Sequence, residues 1–316
     1  MANDTIDRRV RRPAKSTVSG SVTTQKTSKR RETLVAWLFL APALLGFIVF
    51  FAYPTIRGFY LSFTSYDLLS DPQWVGLANF TKAFKDPVFW NSIKVTLIYV
   101  IVNIGAQTVI AIGLAVLMHR VAKSTLIRGV LLLPYLIANV VVALLWFWMA
   151  DANIGVINQI LGWVGISPIA FFGDQNFAII TIALINVWKF MGYTALLIFA
   201  GLQTIPQTVY EAASIDGAKE WTVFWKITLP LLRPVLTLVL LITIIGSWQI
   251  FDTVAITTKG GPVNSTRVIQ YYIYDQAFTR YNFGYAAAIS VVLFLILAAV
   301  AFIQMRLLRA DESDLA

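Results

Sequence analysis

Beyond a polar opening segment, the chain is a succession of long stretches without Asp, Glu, Lys or Arg. Residues 33–56, 95–118, 129–150, 190–210, 234–251 and 281–305 fit that description, and Leu, Ile, Val, Ala and Phe dominate all but the flanks of the fourth. Crossing a hydrocarbon core about 30 Å thick takes roughly 20 apolar residues in a helix, because in lipid every backbone N–H and C=O must be paired within the segment. The pattern predicts an all-α polytopic membrane protein with six transmembrane helices. A seventh charge-free stretch, 152–173, carries four Gly, a Pro, two Asn and a Gln. Those residues break helices, so it reads as an external loop with a short interfacial helix anchored by Trp163. If the fourth span runs over 177–205, Lys189 lies near its middle, where a charge needs a polar partner or a watery cavity.

Lys and Arg accumulate on the cytoplasmic side of bilayer spans. With the N-terminus inside, the inner segments hold seventeen of them and the outer segments seven, which predicts that both termini are cytoplasmic. Composition agrees: 58% of residues are hydrophobic and 13% charged, against about 45–50% and 25% in a soluble domain. The net charge of +9 comes mostly from residues 1–32, a Ser-, Thr- and Arg-rich segment without aromatics that reads as a disordered basic cytoplasmic tail. Such a tail serves topology and attraction to anionic membrane lipid; nucleic-acid binding would need aromatic platforms or a folded reading element. Residues 310–316 form an acidic C-terminal tail. With no cysteine and one histidine, thiol chemistry, iron–sulfur clusters and multi-histidine metal centres are excluded, and no metal or cofactor is expected in this chain.

The loop between spans four and five, 206–234, has a composition of its own. Glu211 is expected to begin a short helix, where a carboxylate suits the positive end of the dipole, and Ala212 and Ala213 give a small face open to close approach. Asp216 and Gly217 read as a helix stop. Trp221, Phe224, Trp225 and Thr228 then recur at i, i+3, i+4 and i+7, an amphipathic helix that Leu229-Pro230 is expected to end. Glu211-Ala212-Ala213, three residues, Gly217, nine residues, Ile227, one residue and Leu229-Pro230 match the EAA-x3-G-x9-I-x-LP signature of permease subunits of binding-protein-dependent ABC importers. Trp74-Val75-Gly76-Leu77-Ala78-Asn79-Phe80 resembles the W-x-G-L-x-N-F segment of sugar-type permeases, and Gly260-Gly261-Pro262 their T-x-G-G-P turn. Leu133-Pro134, Ala200 to Gln203 and Ile205-Pro206 fit the same subfamily. The resemblance covers roughly residues 34–309 and is strongest to the first of two permeases in carbohydrate systems of the maltose, lactose, cellobiose or glycerol-3-phosphate kind.

The resemblance implies a transmembrane domain over 33–309 in a bacterial or archaeal cytoplasmic membrane, paired with a second permease subunit. Two copies of a cytoplasmic ATP-binding subunit, holding ATP and Mg, and an extracytoplasmic solute-binding protein complete the machine. The chain lacks a G-x-x-x-x-G-K-[ST] phosphate loop, so it is not itself expected to be an enzyme. The coupling segment Glu211 to Ala218, with Ile227, Leu229 and Pro230, is expected to dock on the ATPase. Polar residues in spans are candidates for a lined substrate path: Asn186, Lys189 and Tyr193 fall at i, i+3 and i+7, and Ser247, Trp248, Gln249 and Asp252 cluster in span five. By the resemblance, Asn186, Tyr193 and Ser247 coincide with sugar-contacting positions of the maltose permease. Lys189 and Asp252 read equally as an inter-helix ion pair or interfacial snorkelling. For Asn103, Gln107 and Asn139, helix–helix hydrogen bonding is the stronger reading. His119 reads as a surface residue at the inner interface, and Trp146, Trp148, Trp163, Tyr271 and Tyr272 as interfacial belt or packing. A secondary transporter or channel would share six spans, but would show internal repeats or rings of charged pore residues.

Overall fold

A computed structural model describes the backbone of residues 25–120 and 124–307, with side chains from residue 32 onward. The acidic C-terminal tail and the basic tail up to residue 24 lie outside the described residues. Contacts divide the chain into two units, 1–57 and 58–316. Helix α1 (Gln25–Phe47) leads through a π-helical turn, Ile48–Ala52, into α2 (Tyr53–Ser62), within which the boundary between the units falls. Helix therefore begins inside the segment expected to be disordered to residue 32. Lys26, Lys29, Arg30 and Arg31 have good helix propensity, so their polarity does not stop the helix from running past the apolar stretch.

The second unit opens with a small hairpin. Strand β1 (Thr64–Ser65) pairs antiparallel with β2 (Gln73–Trp74), Thr64 opposite Trp74. The W-x-G-L-x-N-F residues build this corner. Asn79 Nδ2 donates to the carbonyls of Ser62 (3.0 Å) and Thr64 (2.8 Å), and Trp74 stacks on Phe63 with ring centroids 5.5 Å apart. Helices α3 (Ala78–Lys85) and α4 (Pro87–Arg120) follow, then α5 (Thr125–Leu136), α6 (Asn139–Met149), α7 (Val156–Trp163) and α8 (Ala178–Leu202). Loop helices α9 (Gln207–Ile215) and α10 (Glu220–Val223) lead through a π turn, Phe224–Thr228, and a short α11 (Leu229–Leu231) into α12 (Arg233–Trp248). The chain closes with α13 (Asp252–Thr257), α14 (Ile269–Tyr274) and α15 (Phe283–Leu307).

Among the described residues five helices are long and apolar enough to cross a membrane, and the pair α5 and α6 supplies the sixth crossing if its two arms count as one span. That pair corrects the expectation of an uninterrupted helix over 129–150: the arms meet at 90°. Pro134 removes one backbone donor from the last turn of α5, and Ile137 and Ala138 are extended. The second span starts at Pro87 rather than at 95, because Lys94 lies within the first turns and its long stem lets the ammonium reach away from lipid. The fifth is interrupted at 249–251, between α12 and α13. Helix α7 stands where the Trp163 helix was expected, and Trp163 is exposed.

Helices α4 and α8 are the central pair. Ala111 and Ala115 of α4 and Ala195 of α8, all fully buried, let the two backbones approach closely in the half toward Arg120. This is how membrane helices gain packing where lipid removes the hydrophobic drive. Helix α5 approaches α8 at Gly192, where a Cβ would overlap the carbonyl of Leu131.

Candidate functional site

Polar side chains from α4, α6, α8, α12 and α13 converge on a cavity of about 210 Å³. At 100° per residue, Asn186, Phe190, Tyr193 and Thr194 of α8 lie at about 0°, 40°, −20° and 80° around the helix, one face within roughly 100°; all four line the cavity. Lys189 falls at about −60°, off this face. It does not line the cavity; its Nζ turns to α5 and donates to the carbonyls of Tyr135 (3.4 Å) and Ile137. These are the carbonyls that the break between α5 and α6 deprives of helical partners. The ion pair with Asp252 does not form; Asp252 instead accepts from Asn139 Nδ2 at 2.7 Å.

Of the span-five candidates, Ser247, Gln249 and Asp252 line the cavity. Trp248 does not. It is buried in the apolar cluster with Ile182, Val254 and Ile289, because one step along a helix turns a side chain by about 100° from its neighbour. Asn103, Gln107 and Asn139 do both things open to them. Asn103 Nδ2 donates to Ser247 Oγ (3.0 Å), Gln107 Nε2 donates to Thr194 Oγ1 (2.8 Å), and all three residues face the cavity. Asn186 Nδ2 donates to the Ile182 carbonyl (3.0 Å) and to Thr253 Oγ1 (3.3 Å). Tyr193 stacks on Tyr135, centroids 4.4 Å apart with planes 9° from parallel. The wall also includes Tyr99, Phe190, Thr194 and Thr253, which the polarity of single positions did not single out; the i+4 and i+8 offsets of Phe190 and Thr194 from Asn186 are the signal that finds them.

The 206–234 loop corrects two expectations. Helix α9 starts at Gln207, so Glu211 is its fifth residue and not at the dipole's positive end. Leu229-Pro230 does not end the amphipathic helix: the wide turn at Phe224–Thr228 precedes Pro230, and helix continues to Leu231. That turn also moves the register of the stripe, so Trp221 and Trp225 are exposed while Thr228 is buried. The helix stop is present. Gly217 has φ +68°, and the N–H of Ala218 reaches back to the carbonyl of Ala213 at 3.0 Å, a bond that closes the end of α9. Ala213 is buried, whereas Glu211, Ala212, Asp216 and Gly217 are exposed and Ile215 is 86% exposed. Ile227 and Leu229 are half-buried and Pro230 is exposed.

His119, at the end of α4, is exposed, yet its ring meets those of Phe199 and Tyr210. Beside it Arg120 pairs with Glu220 at 2.6 Å, tying α4 to the loop. At the far end of the unit, Asp86 accepts from the hydroxyls of Tyr272 and Tyr285. Burial opposes the charge on Asp86, but hydrogen bonds from Tyr272, Tyr285 and the N–H groups of Val88 and Phe89 together outweigh it and hold the carboxyl below its usual range. Burial, then the hydrogen bond to Asp86, pushes the Tyr272 phenol up to about 12. Asp275 pairs with Arg267 (2.8 Å) and Arg280 (3.2 Å) close by.

Comparison with known proteins places this geometry. Residues 107–311 match the binding-protein-dependent transport system inner membrane component family. The chain is 34% identical to the sulfoquinovosyl glycerol transport system permease protein SmoG of Agrobacterium fabrum, over 89% of this chain and 92% of that one. It is 33% identical to the lactose transport system permease protein LacF of Rhizobium radiobacter, over 90% and 97%. A chain of a bacterial ABC transporter that imports the acidic polysaccharide alginate shares its fold with a TM-score of 0.79 at 22% identity, covering 91% of this chain and 99% of that one.

Proposed function

Because the chain belongs to the binding-protein-dependent transport system inner membrane component family, as a multi-pass membrane subunit of an ABC transporter, we propose that it forms half of the pathway by which a sugar enters the cell. A second permease subunit supplies the other half. Two copies of a cytoplasmic ATP-binding subunit bind and hydrolyse ATP with Mg, and an extracytoplasmic binding protein delivers the sugar to this pathway in the cytoplasmic membrane. In this reading both termini and the 206–234 loop face the cytoplasm.

One observation carries the proposal. Helix α9 presents Glu211, Ala212, Ile215 and Asp216 outward, and it sits between α8 and α12, both of which line the polar cavity further along their length. A partner that seizes α9 thereby holds two walls of the cavity. Ala213 anchors the helix from beneath, and Gly217 lets the chain reverse without strain. In the cavity, amides and hydroxyls suit sugar hydroxyls, and Tyr193 and Phe190 offer ring faces for the apolar side of a pyranose.

The test is Gly217→Pro. Proline requires φ near −65° where the backbone holds +68°. The variant inserts into the membrane, but the end of α9 is displaced and substrate-stimulated ATP hydrolysis by the purified complex is lost. If transport and stimulated hydrolysis both survive the change, α9 is not the coupling element. If no nucleotide-binding subunit co-purifies with the wild-type chain while transport persists, the importer reading itself falls.

A further inference from the structure

The cavity wall is unbalanced in its hydrogen-bonding sense. Ser247 spends its hydroxyl proton on the carbonyl of Thr243 at 2.7 Å, so the group it faces on Asn103 must be the donor, Nδ2. The same Nδ2 serves Gln107 Oε1 at 3.2 Å, and both amide protons of Asn103 are used. Its oxygen, Oδ1, is buried and has no hydrogen-bond partner. Asn103 is 4% exposed, so this acceptor is not served by bulk water, and an unpaired buried acceptor is costly until a donor arrives. Asp252 adds a carboxylate to the same wall, fixed by Asn139. Against these acceptors the lining residues include no Lys, Arg or His. The Lys189 ammonium is committed to the carbonyls of Tyr135 and Ile137.

Such a wall asks for donors. An uncharged saccharide brings a hydroxyl proton for every acceptor. A sugar carboxylate, sulfonate or phosphate brings only acceptors and a negative charge, which meets Asp252 on a wall whose lining holds no basic side chain. Lys189 is within Coulombic reach of Asp252 but lies off the lining, its ammonium turned to the carbonyls of Tyr135 and Ile137. Resting on the sugar-permease reading, we propose that this cavity passes uncharged saccharides and rejects anionic ones, with Asp252 as the specificity-determining residue. The relatives named above include a sulfoquinovosyl glycerol permease and a lactose permease.

The experiment uses the full complex in proteoliposomes with its cognate binding protein, and measures uptake of lactose, maltose, cellobiose and galactobiose beside digalacturonate, cellobiuronate and glycerol 3-phosphate. Rates are normalised to binding-protein occupancy, so that the discrimination read is that of the permease. Uptake is expected for neutral sugars, at rates roughly tenfold or more above any anionic compound, since like charges a few ångströms apart at a protein–water boundary repel at least that strongly. Asp252→Asn, isosteric but uncharged, is expected to narrow the ratio by about the same factor. Asp252→Ser is read alongside it, and both are scored only where the ATP-binding subunits co-purify. An anionic compound carried as the best cargo, or a ratio unmoved in both Asp252 variants, overturns the inference and leaves the permease reading intact. A complex that transports no saccharide of either class overturns the permease reading, and this inference with it.

Discussion

Lys189→Met keeps the length and apolar volume of the side chain and removes only the ammonium. Two effects then oppose each other. Lys189 is 4% exposed, and a buried cation carries a desolvation cost of several kcal/mol that the methionine does not. The substitution also strips the carbonyls of Tyr135 and Ile137 of their donor at the 90° break between α5 and α6. A fully buried unpaired carbonyl costs about 1–3 kcal/mol; Tyr135 is half-buried and Ile137 exposed, so the two together take the low end, roughly 2 kcal/mol. Interhelical hydrogen bonds in membranes average only about 0.6 kcal/mol because freed groups find other partners. Here that relief is closed, since Ile137 and Ala138 are extended and offer no N–H from the next turn. The lysine's own burial cost is already offset by these same carbonyls, so the orphaned pair decides the sign and the variant is destabilised by about 2 kcal/mol. At about 2–4 °C per kcal/mol the purified complex should melt roughly 4–8 °C lower. The KM for uptake should also rise, because the break aims Asn139 at Asp252 and Tyr135 onto Tyr193. Lys189→Arg, which restores a cationic donor, should recover part of both. A Lys189→Met complex with unchanged melting temperature and unchanged KM would show that the break needs no cap.

Three further outcomes are expected. Gly192→Ala pushes a Cβ against the Leu131 carbonyl, a backbone atom that cannot swing aside, and should lower stability by about 1–3 kcal/mol in thermal unfolding; wild-type stability would mean that α5 and α8 do not touch there. Tyr193→Ala removes a ring that the Tyr135 stack holds at the cavity and should raise the uptake KM about tenfold, a loss of roughly 1.4 kcal/mol; unchanged uptake and substrate range take Tyr193 off the path. Asp86, whose carboxyl is held below its usual value in the folded chain, contributes stability that is present above the ordinary carboxyl value near pH 4 and lost as pH falls through the lowered folded value. In Asp86→Asn that acid-limb loss should vanish from a melting-temperature profile, and a profile identical to wild type refutes the assignment.

The sequence made the spans legible because lipid allows few solutions. Charge-free runs of about 20 residues must be helices there, and five of the described helices have the necessary length. It could not show the break in α5–α6, because a proline in a membrane helix is often accommodated by a kink, and the residue that stabilises a full break is Lys189, fifty residues away on another helix. The helix stop at Gly217 was legible because only a positive φ closes α9 that way. The persistence of helix through Pro230 was not, since the π turn that accommodates it has no sequence mark of its own. In the cavity, polarity found Asn186, Tyr193, Ser247, Gln249 and Asp252. It misplaced Lys189 and Trp248, because membership of a face depends on the angle around the helix and not on proximity in sequence.

The cross-links between the cavity helices set what coupling requires of them. Helix α4 is joined to α12 by Asn103 and Ser247, and to α8 by Gln107 and Thr194, while at its other end Arg120 holds Glu220 of the loop. None of these bonds is strong: exposed ion pairs contribute about 1 kcal/mol or less, and intramembrane hydrogen bonds average about 0.6. By contrast, the α4–α8 seam is fully buried at Ala111, Ala115 and Ala195, and close-packed seams resist shear because each shift opens a void. Helix α12 shares that apolar packing, with Leu232 and Val239 in the same buried cluster and Val235 close against Gly201 of α8, so under the proposed coupling a pull on α9 acts on α8 and α12 together. On the proposed importer reading, a loop that lines no part of this cavity acts on two helices that do.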